Sequence, residues 1–286
     1  MRPKFKMEQF RKQLEDLLEY LPTVDEVTCL SQSRIRTLRS EIAGAIAKLE
    51  SYSRSIDPVR HPEKIFDPSD PFVIGELIAL TLLAQPRQGL LDLVRFYGSG
   101  IYAVYYRGDF DAYSPIRGTD HPIYVGKADP KVYEARTAEE QGEKLFVRLQ
   151  EHLKSVRAAE NLDAADFECR YLVVKSAWQG TSESILIHKF WPIWNNETKI
   201  CFGFGKHGDS PNTRANKVSP WDTLHPGRKW ATSEGNVPNL SGTDQILAQI
   251  QDHFKKHPPI LNPQQALAEQ ALTEQDIIEI ESMEKE

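Results

Sequence analysis

Seven side chains in the middle of the chain have the types and spacings for proton transfer and anion binding. Tyr102 lies in "GSGIYAVYY" (98–106) and Tyr124 in "HPIYVGKA" (121–128), each with a glycine two positions away, and Lys127 follows directly. Arg148 and His152 in "FVRLQEHL" are four residues apart and share a helix face. Glu183 in "GTSESILIHKF" falls in the first turn of a helix opened by Thr181 or Ser182, and Asn195 in "FWPIWNNE" comes twelve residues later. An arginine offers anionic oxygens a planar, permanently charged donor fork. An imidazole titrating near ~6.5 can take or share a proton, and a lone carboxylate can hold a divalent ion that keeps most of its waters. Each residue also has a plainer explanation: a solvated i,i+4 pair, a carboxylate favoured by a helix dipole, a turn asparagine.

The elements that must position them follow from hydrophobic period. Strands are expected at 99–106, 122–126 and 166–175, the last with Phe167, Cys169, Tyr171 and Val173 alternating with the other face. Alternation puts Ile101, Ala103 and Tyr105 on one face of the first strand and Tyr102, Val104 and Tyr106 on the other. Helices are expected at 142–158 and 182–190, the second closed by Pro192. The order ββαβα describes an α/β (α+β) layer, a small mixed or antiparallel three-stranded sheet flanked by helices. Ahead of it, 5–21 and 31–56 read as a helical hairpin, the longer helix carrying Ile35, Leu38, Ile42, Ile46 and Leu49 at three- and four-residue steps. The proline-rich "DPVRHPEKIFDPSDP" is a linker to an apolar helix at 71–84. Three segments result: an N-terminal extension, 1–95, suited to oligomerisation; a core, 96–243; and a C-terminal tail, 244–286, with a helix at 244–256 and an acidic amphipathic stretch at 264–283.

Composition bounds the partners. With 286 residues, 40% hydrophobic and 27% charged, the chain can bury a core, and no apolar run approaches the ~18 residues of a spanning helix. A membrane partner is not expected. The N-terminus alternates charge and leucine with no secretory h-region, and Cys29, Cys169 and Cys201 form no CxxC pair, which points to a reducing cytoplasm. The net charge of -6 is that of 269–286 alone, where seven acidic residues oppose Lys285, so the rest is formally neutral. Within it, the loop-rich stretch 199–230 holds six basic residues against Asp209 and Asp222 and is the natural candidate to meet phosphate. His207, Asn212, Arg214, Asn216, Lys217, Arg228 and Lys229 are its candidates for contact with phosphate or, on a nucleic acid, with base edges. Trp221, Trp230, His225 and Pro226 read as loop architecture.

Taken jointly, Gly100-Ile101-Tyr102, Tyr124-Val125-Gly126, Arg148, His152, Glu183 and Asn195, in that order on those elements, resemble the GIY-YIG nuclease superfamily. The resemblance covers roughly residues 98–200, and its one departure is valine at 125 where the name motif has isoleucine. The "YYRGDFDAY" and "SPWDTLHPGRKWA" stretches look like the type II restriction endonucleases of the superfamily, in particular the group that cuts the palindrome CCGCGG. A repair or homing nuclease is a second reading, though three scattered cysteines cannot make a four-cysteine zinc site. A catalytically silent DNA-binding module on the same fold is a third.

The resemblance implies hydrolysis of a DNA phosphodiester with one Mg²⁺, replaceable by Mn²⁺, on Glu183, and no organic cofactor. It implies Arg148 on the non-bridging oxygens and Tyr102 as general base sharing its proton with His152. Tyr124 would lie on the phosphate or the water, Lys127 would add positive charge, and Asn195 would touch phosphate or hold the metal-side loop. Double-stranded DNA with a two-fold site implies a homodimer or homotetramer.

Overall fold

The computed structural model describes residues 6–60, 65–175, 177–205, 218–231 and 237–262. Contacts divide the chain into two units, Met1–Phe66 and Asp67–Glu286. The first is helical, with α1 (Met7–Glu19), α2 (Val24–Thr28) and α3 (Gln32–Ile56). The short α2 arises where only a connection was expected. Thr23 and Glu26 close a capping box around it, the threonine hydroxyl accepting from Glu26 N and the carboxylate accepting from Thr23 N. Ser31 caps α3 in the same way, accepting from Arg34 N. None of the three helices has a buried residue.

The second unit opens with α4 (Pro71–Leu83), where Asp70 accepts from Phe72 N and Pro71 takes the first helical position. There follow β1 (Gln88–Gly89), β2 (Gly100–Tyr106), β3 (Tyr124–Ala128), α5 (Ala138–Gln141), α6 (Lys144–Ala158), β4 (Phe167–Val173), α7 (Gln179–Phe190), α8 (Pro220–Leu224) and α9 (Thr243–Lys256). The sheet is antiparallel throughout, in the order β1-β4-β2-β3. β2 is therefore internal and β3 an edge. The expected α+β layer is present, with a fourth strand, β1, whose two residues are too few to show a period.

Alternation along β2 builds a core on each side of the sheet. Tyr102, Val104 and Tyr106 join Phe167 and Cys169 of β4, Leu149 and Leu153 of α6, and Ile246 and Ile250 of α9. Ile101, Ala103 and Tyr105 join Val125 of β3 with Leu82 of α4 and Ile185 and Leu186 of α7. Helices on both faces leave every residue of β2 buried. The stretch expected to be irregular downstream holds α8, capped by Ser219, which accepts from Asp222 N, with Pro220 first in the helix. The acidic amphipathic stretch at 264–283 lies outside the described residues. Among those described, no helix is long and apolar enough to cross a membrane. All three cysteines are free, Cys29 exposed and Cys169 and Cys201 buried.

Candidate active site

On the α6 side of the sheet, Tyr102 has no exposed surface, and its hydroxyl lies 2.6 Å from His152 Nε2. The His152 ring is stacked on Phe204 at 4.4 Å, and Tyr124 meets the imidazole edge-on at 5.1 Å. The register sets Gly126 of β3 directly opposite Tyr102. A Cβ on Gly126 would overlap the Tyr102 hydroxyl, would lie 2.6 Å from its Cζ and would touch the Tyr124 ring at 3.0 Å. The glycine of the second motif is thus the space the two phenols occupy. The glycine of the first has another cause, because a Cβ on Gly100 would overlap the Leu172 carbonyl of β4. The crowding there is with the β4 backbone and not with the tyrosine.

Arg148 is fixed from two sides, Nη2 donating to Gly205 O at 2.9 Å and Nη1 to Glu151 at 3.1 Å. Burial opposes its charge, but the neighbouring Tyr102 and Tyr124 outweigh that and hold its pKa above the ordinary arginine value. Burial first, then Tyr124, pushes the Tyr102 phenol well above the usual range, with Arg148 opposing. Burial and then Glu183 push Tyr124 up to about 12. Both phenols therefore resist ionisation, and a proton leaving Tyr102 needs an acceptor within reach. His152 Nε2 occupies that place.

Glu183 reaches the same region from α7, on the other side of the sheet. The helix begins at Gln179, three residues ahead of the expected 182, with Ser182 N bonded to Trp178 O and the Ser182 hydroxyl donating to the same carbonyl at 2.8 Å. Ser182 is thus helix interior, and Glu183 lies past the first turn, so the expected dipole contribution does not apply. Burial pushes its carboxyl up to about 7; Lys127 opposes that, and Glu197 and Asp129 add to it. The Lys127 ammonium is 3.9 Å from the Glu183 carboxylate, a loose pair.

The two sides meet because β3 is an edge. Edge strands present unpaired N–H and C=O groups, and here one side chain takes up both. Val125 N donates to Asn195 Oδ1 at 3.0 Å, and Asn195 Nδ2 donates to Val125 O at 2.9 Å. The chain reaches that position by ending α7 on Trp191, in the left-handed region at φ 46°, just before Pro192. α9 secures the turn, since His253 Nε2 donates to Trp191 O at 3.0 Å and His257 stacks on the indole at 5.5 Å. α9 therefore supports the loop that closes the site.

A cavity of about 140 Å³ results, lined by Tyr124, Arg148, Glu183, Asn195, Glu197 and Gly205 among others. A wider cleft of about 460 Å³ along β3 adds Lys127, Asp129 and Glu151. Of the seven expected residues, Tyr124, Lys127, Arg148, Glu183 and Asn195 line these spaces. Tyr102 and His152 are buried behind Tyr124.

Among the described residues no three His, Cys, Asp or Glu side chains gather as a metal-holding group. Two carboxylates do share the cavity, Glu183 and Glu197, and Glu197 Oε2 is buried with no hydrogen-bond partner among the described residues. An orphaned anionic oxygen beside a carboxylate already pushed up in pKa is a donor set short of a cation, and oxygen donors of this kind suit a hard divalent ion. Glu197 is absent from the sequence candidates. Its signal is position alone, two residues past Asn195 in the same turn.

The DNA-contact candidates separate. His207, Asn212, Arg214, Asn216 and Lys217 lie outside the described residues, and Lys229 is exposed. Arg228, expected at the DNA face, is 5% exposed. Its Nε and Nη2 each donate to Asp222 at 2.6 Å, Nη2 also donates to Gly203 O, and the guanidinium covers the Trp221 ring at 4.5 Å. Asp222, one of two acids in the basic stretch, draws it inward. His225 is also interior. Its Nε2 meets the Tyr113 hydroxyl at 2.5 Å, its Nδ1 meets Asn161 Oδ1 at 2.9 Å, and Trp194 Nε1 donates to Tyr113 at 2.9 Å.

A family model described as the Eco29kI GIY-YIG domain matches residues 94–257, which span β2 to α9 and every residue of the cavity. No curated protein matches the chain.

Proposed function

We propose that this chain, which belongs to the Eco29kI GIY-YIG family of restriction endonucleases, hydrolyses a phosphodiester of double-stranded DNA at the β3 edge. It acts as a type II enzyme with one Mg²⁺, or Mn²⁺ in its place, per site. Its target is a two-fold symmetric GC-rich sequence, CCGCGG, bound by a homodimer or a pair of dimers. The observation that carries the chemistry is the convergence of a phenol, a braced guanidinium and a carboxylate from opposite sides of the sheet on one cavity.

Arg148 is held by Gly205 O and Glu151, so it meets the non-bridging phosphate oxygens without reorganising as charge builds there. Tyr124 lines the cavity and touches the attacking water or the phosphate. The Tyr102–His152 pair behind it takes the proton. With the Tyr102 pKa raised, a free phenolate does not accumulate at neutral pH, so the base function rests on transfer to His152 across 2.6 Å. Glu183, with Glu197 beside it, would hold the divalent ion, and Lys127 offsets part of the Glu183 charge without it. A divalent ion held there would supply Lewis-acid charge for the phosphoryl group and the leaving oxygen. Asn195 acts on β3 itself, fixing the strand that carries Tyr124, Gly126 and Lys127.

Plasmid and phage DNA carrying CCGCGG, incubated with Mg²⁺ and the unmodified chain, should give discrete fragments whose sequenced ends define site and overhang. Glu183→Ala and Tyr102→Phe should each abolish cutting while retaining DNA binding. Absence of cutting on every GC-rich substrate by a folded chain would overturn the nuclease reading. Cutting at an unrelated sequence would overturn only the assigned site.

A further inference from the structure

The first unit carries an apolar stripe that its described residues leave largely uncovered, Ile35 and Leu38 being half-buried and the rest exposed. Along α3, Ile35, Leu38, Ile42, Ala45, Leu49, Tyr52 and Ile56 follow one another at alternating steps of three and four, an unbroken heptad seam. On this helix Ile42, Leu49, Tyr52 and Ile56 are 42 to 62% exposed, and no residue of α3 is buried. A 25-residue helix with no buried face is marginal alone in water, and a sustained 3.5-residue apolar period calls for a facing helix.

We propose that a second copy of this chain covers the seam, the two α3 helices pairing antiparallel as a two-stranded coiled coil. Charge selects both direction and register. With Ile35 at the first core position, the flanking positions are Arg34, Arg39, Glu41, Ile46, Lys48, Ser53 and Ser55. A parallel pair would set Arg34 against Arg39 of the other copy, twice, with no opposite-charge pair in return. Antiparallel, the register that pairs Ile35 with Tyr52, Leu38 with Leu49 and Ile42 with Ala45 sets Glu41 against Lys48 on either side of the two-fold axis. It also matches each large residue at the centre to a small one. Sliding by one heptad either way sets Glu41 against Glu41 or Lys48 against Lys48. The favoured register overlaps the full helix, ~37 Å at 1.5 Å per residue. It is self-complementary, as a two-fold contact must be.

The pairing deepens the two-fold reading of the enzyme by placing a contact outside the nuclease core, and it is measured without DNA or metal, so it stands or falls separately from cleavage. Light scattering of the full chain should give two or four times 32.6 kDa. Ile42→Lys with Leu49→Lys, both at exposed positions, should halve that mass at unchanged helicity. Glu41→Lys alone and Lys48→Glu alone should each weaken association, and the two together should restore it. In a Cys29→Ser background, mixing Ile42→Cys with Ala45→Cys chains should give the 42–45 disulfide rather than either chain's self-disulfide. A monomeric wild type, a double-lysine variant of unchanged mass, or self-disulfides only would overturn the proposal. So would a mass lost on removing residues 263–286 or on Leu14→Lys in α1 but kept in the α3 variant, because another segment would then be covering the seam.

Discussion

Replacing Asn195 by alanine removes both partners of Val125 at once, while the strand they serve stays otherwise intact. The amide is 4% exposed, accepts from Val125 N at 3.0 Å and donates to Val125 O at 2.9 Å. Leaving a buried backbone group unpaired costs about 1–3 kcal/mol, so two give a range of about 2–6 kcal/mol. The cavity of about 140 Å³ that Asn195 lines has room for water to reach the exposed groups, which brings the expected cost toward ~2 kcal/mol. All five tryptophans, Trp178, Trp191, Trp194, Trp221 and Trp230, lie in the second unit, so urea melts followed by indole fluorescence report that unit alone. The midpoint should fall at unchanged m-value. Asn195→Asp keeps the acceptor for Val125 N but turns a carboxylate oxygen toward Val125 O. It should be worse than alanine at neutral pH and recover as pH falls and the carboxyl becomes a donor. A cost below ~0.5 kcal/mol for Asn195→Ala together with full loss of cleavage would refute the clamp and assign Asn195 to the substrate.

Three further outcomes follow from the same contacts. Gly126→Ala forces a methyl into the Tyr102 hydroxyl, should cost about 1–3 kcal/mol and should abolish cleavage. Tyr102→Phe in that background should return part of the stability, and strict additivity of the two changes in urea melts would contradict the overlap. Glu183 has its folded pKa raised from 4.5 to about 7, so the stability it contributes is present below that range and lost as pH rises through it. At pH ~8 Glu183→Gln should therefore melt higher than wild type in chelator, and Mg²⁺ should raise the melting temperature of the wild type only; an equal Mg²⁺ shift in both would place the ion elsewhere. His225 and His121 are buried with folded pKa values lowered to about 3 and about 4, so below ~6.5 the unfolded chain binds protons that the native chain does not. Stability should fall from about pH 6.5 toward pH 4 by up to ~1.4 kcal/mol per pH unit for each histidine, and a flat profile in urea melts would contradict their burial as neutral rings.

What could be read in the sequence is what has a period or a cap. The two faces of β2 separate as alternation requires, and α3 and α9 follow from apolar spacing. The start of α7 was hidden because Trp178 caps it with no side-chain bond, while Thr181 and Ser182, which resemble caps, are inside the helix. α8 was hidden inside a stretch whose glycines and prolines suggest a loop, although Ser219-Pro220-Trp221-Asp222 is a sound helix start. Residue type also does not say which way a charge faces. Arg228 and Lys229 are neighbours in sequence, yet Arg228 is buried on Asp222 and two carbonyls while Lys229 is at the surface. Asn195 was expected at phosphate or at the loop, and the contacts described are with β3 backbone, because an edge strand has bonds to satisfy that a sequence cannot display.

The arrangement across the sheet has a consequence for how its parts combine. Tyr102, Tyr124, Arg148 and His152 lie on the α6 side, where the two tyrosines pack into one core, while Lys127 and Glu183 pair on the α7 side, beside the other. The two groups meet only around β3. For stability, a change such as His152→Ala and one such as Glu183→Gln act on different sides of the sheet, and their effects, whatever the sign of each, should add within about 0.5 kcal/mol. For cleavage both serve one step, so the second loss should cost far less than the first. Asn195 is the exception, since it holds the strand that both groups share. Its replacement should couple to changes on either side in stability as well as in rate, and that double coupling separates a clamp on β3 from a seventh member of the reacting set.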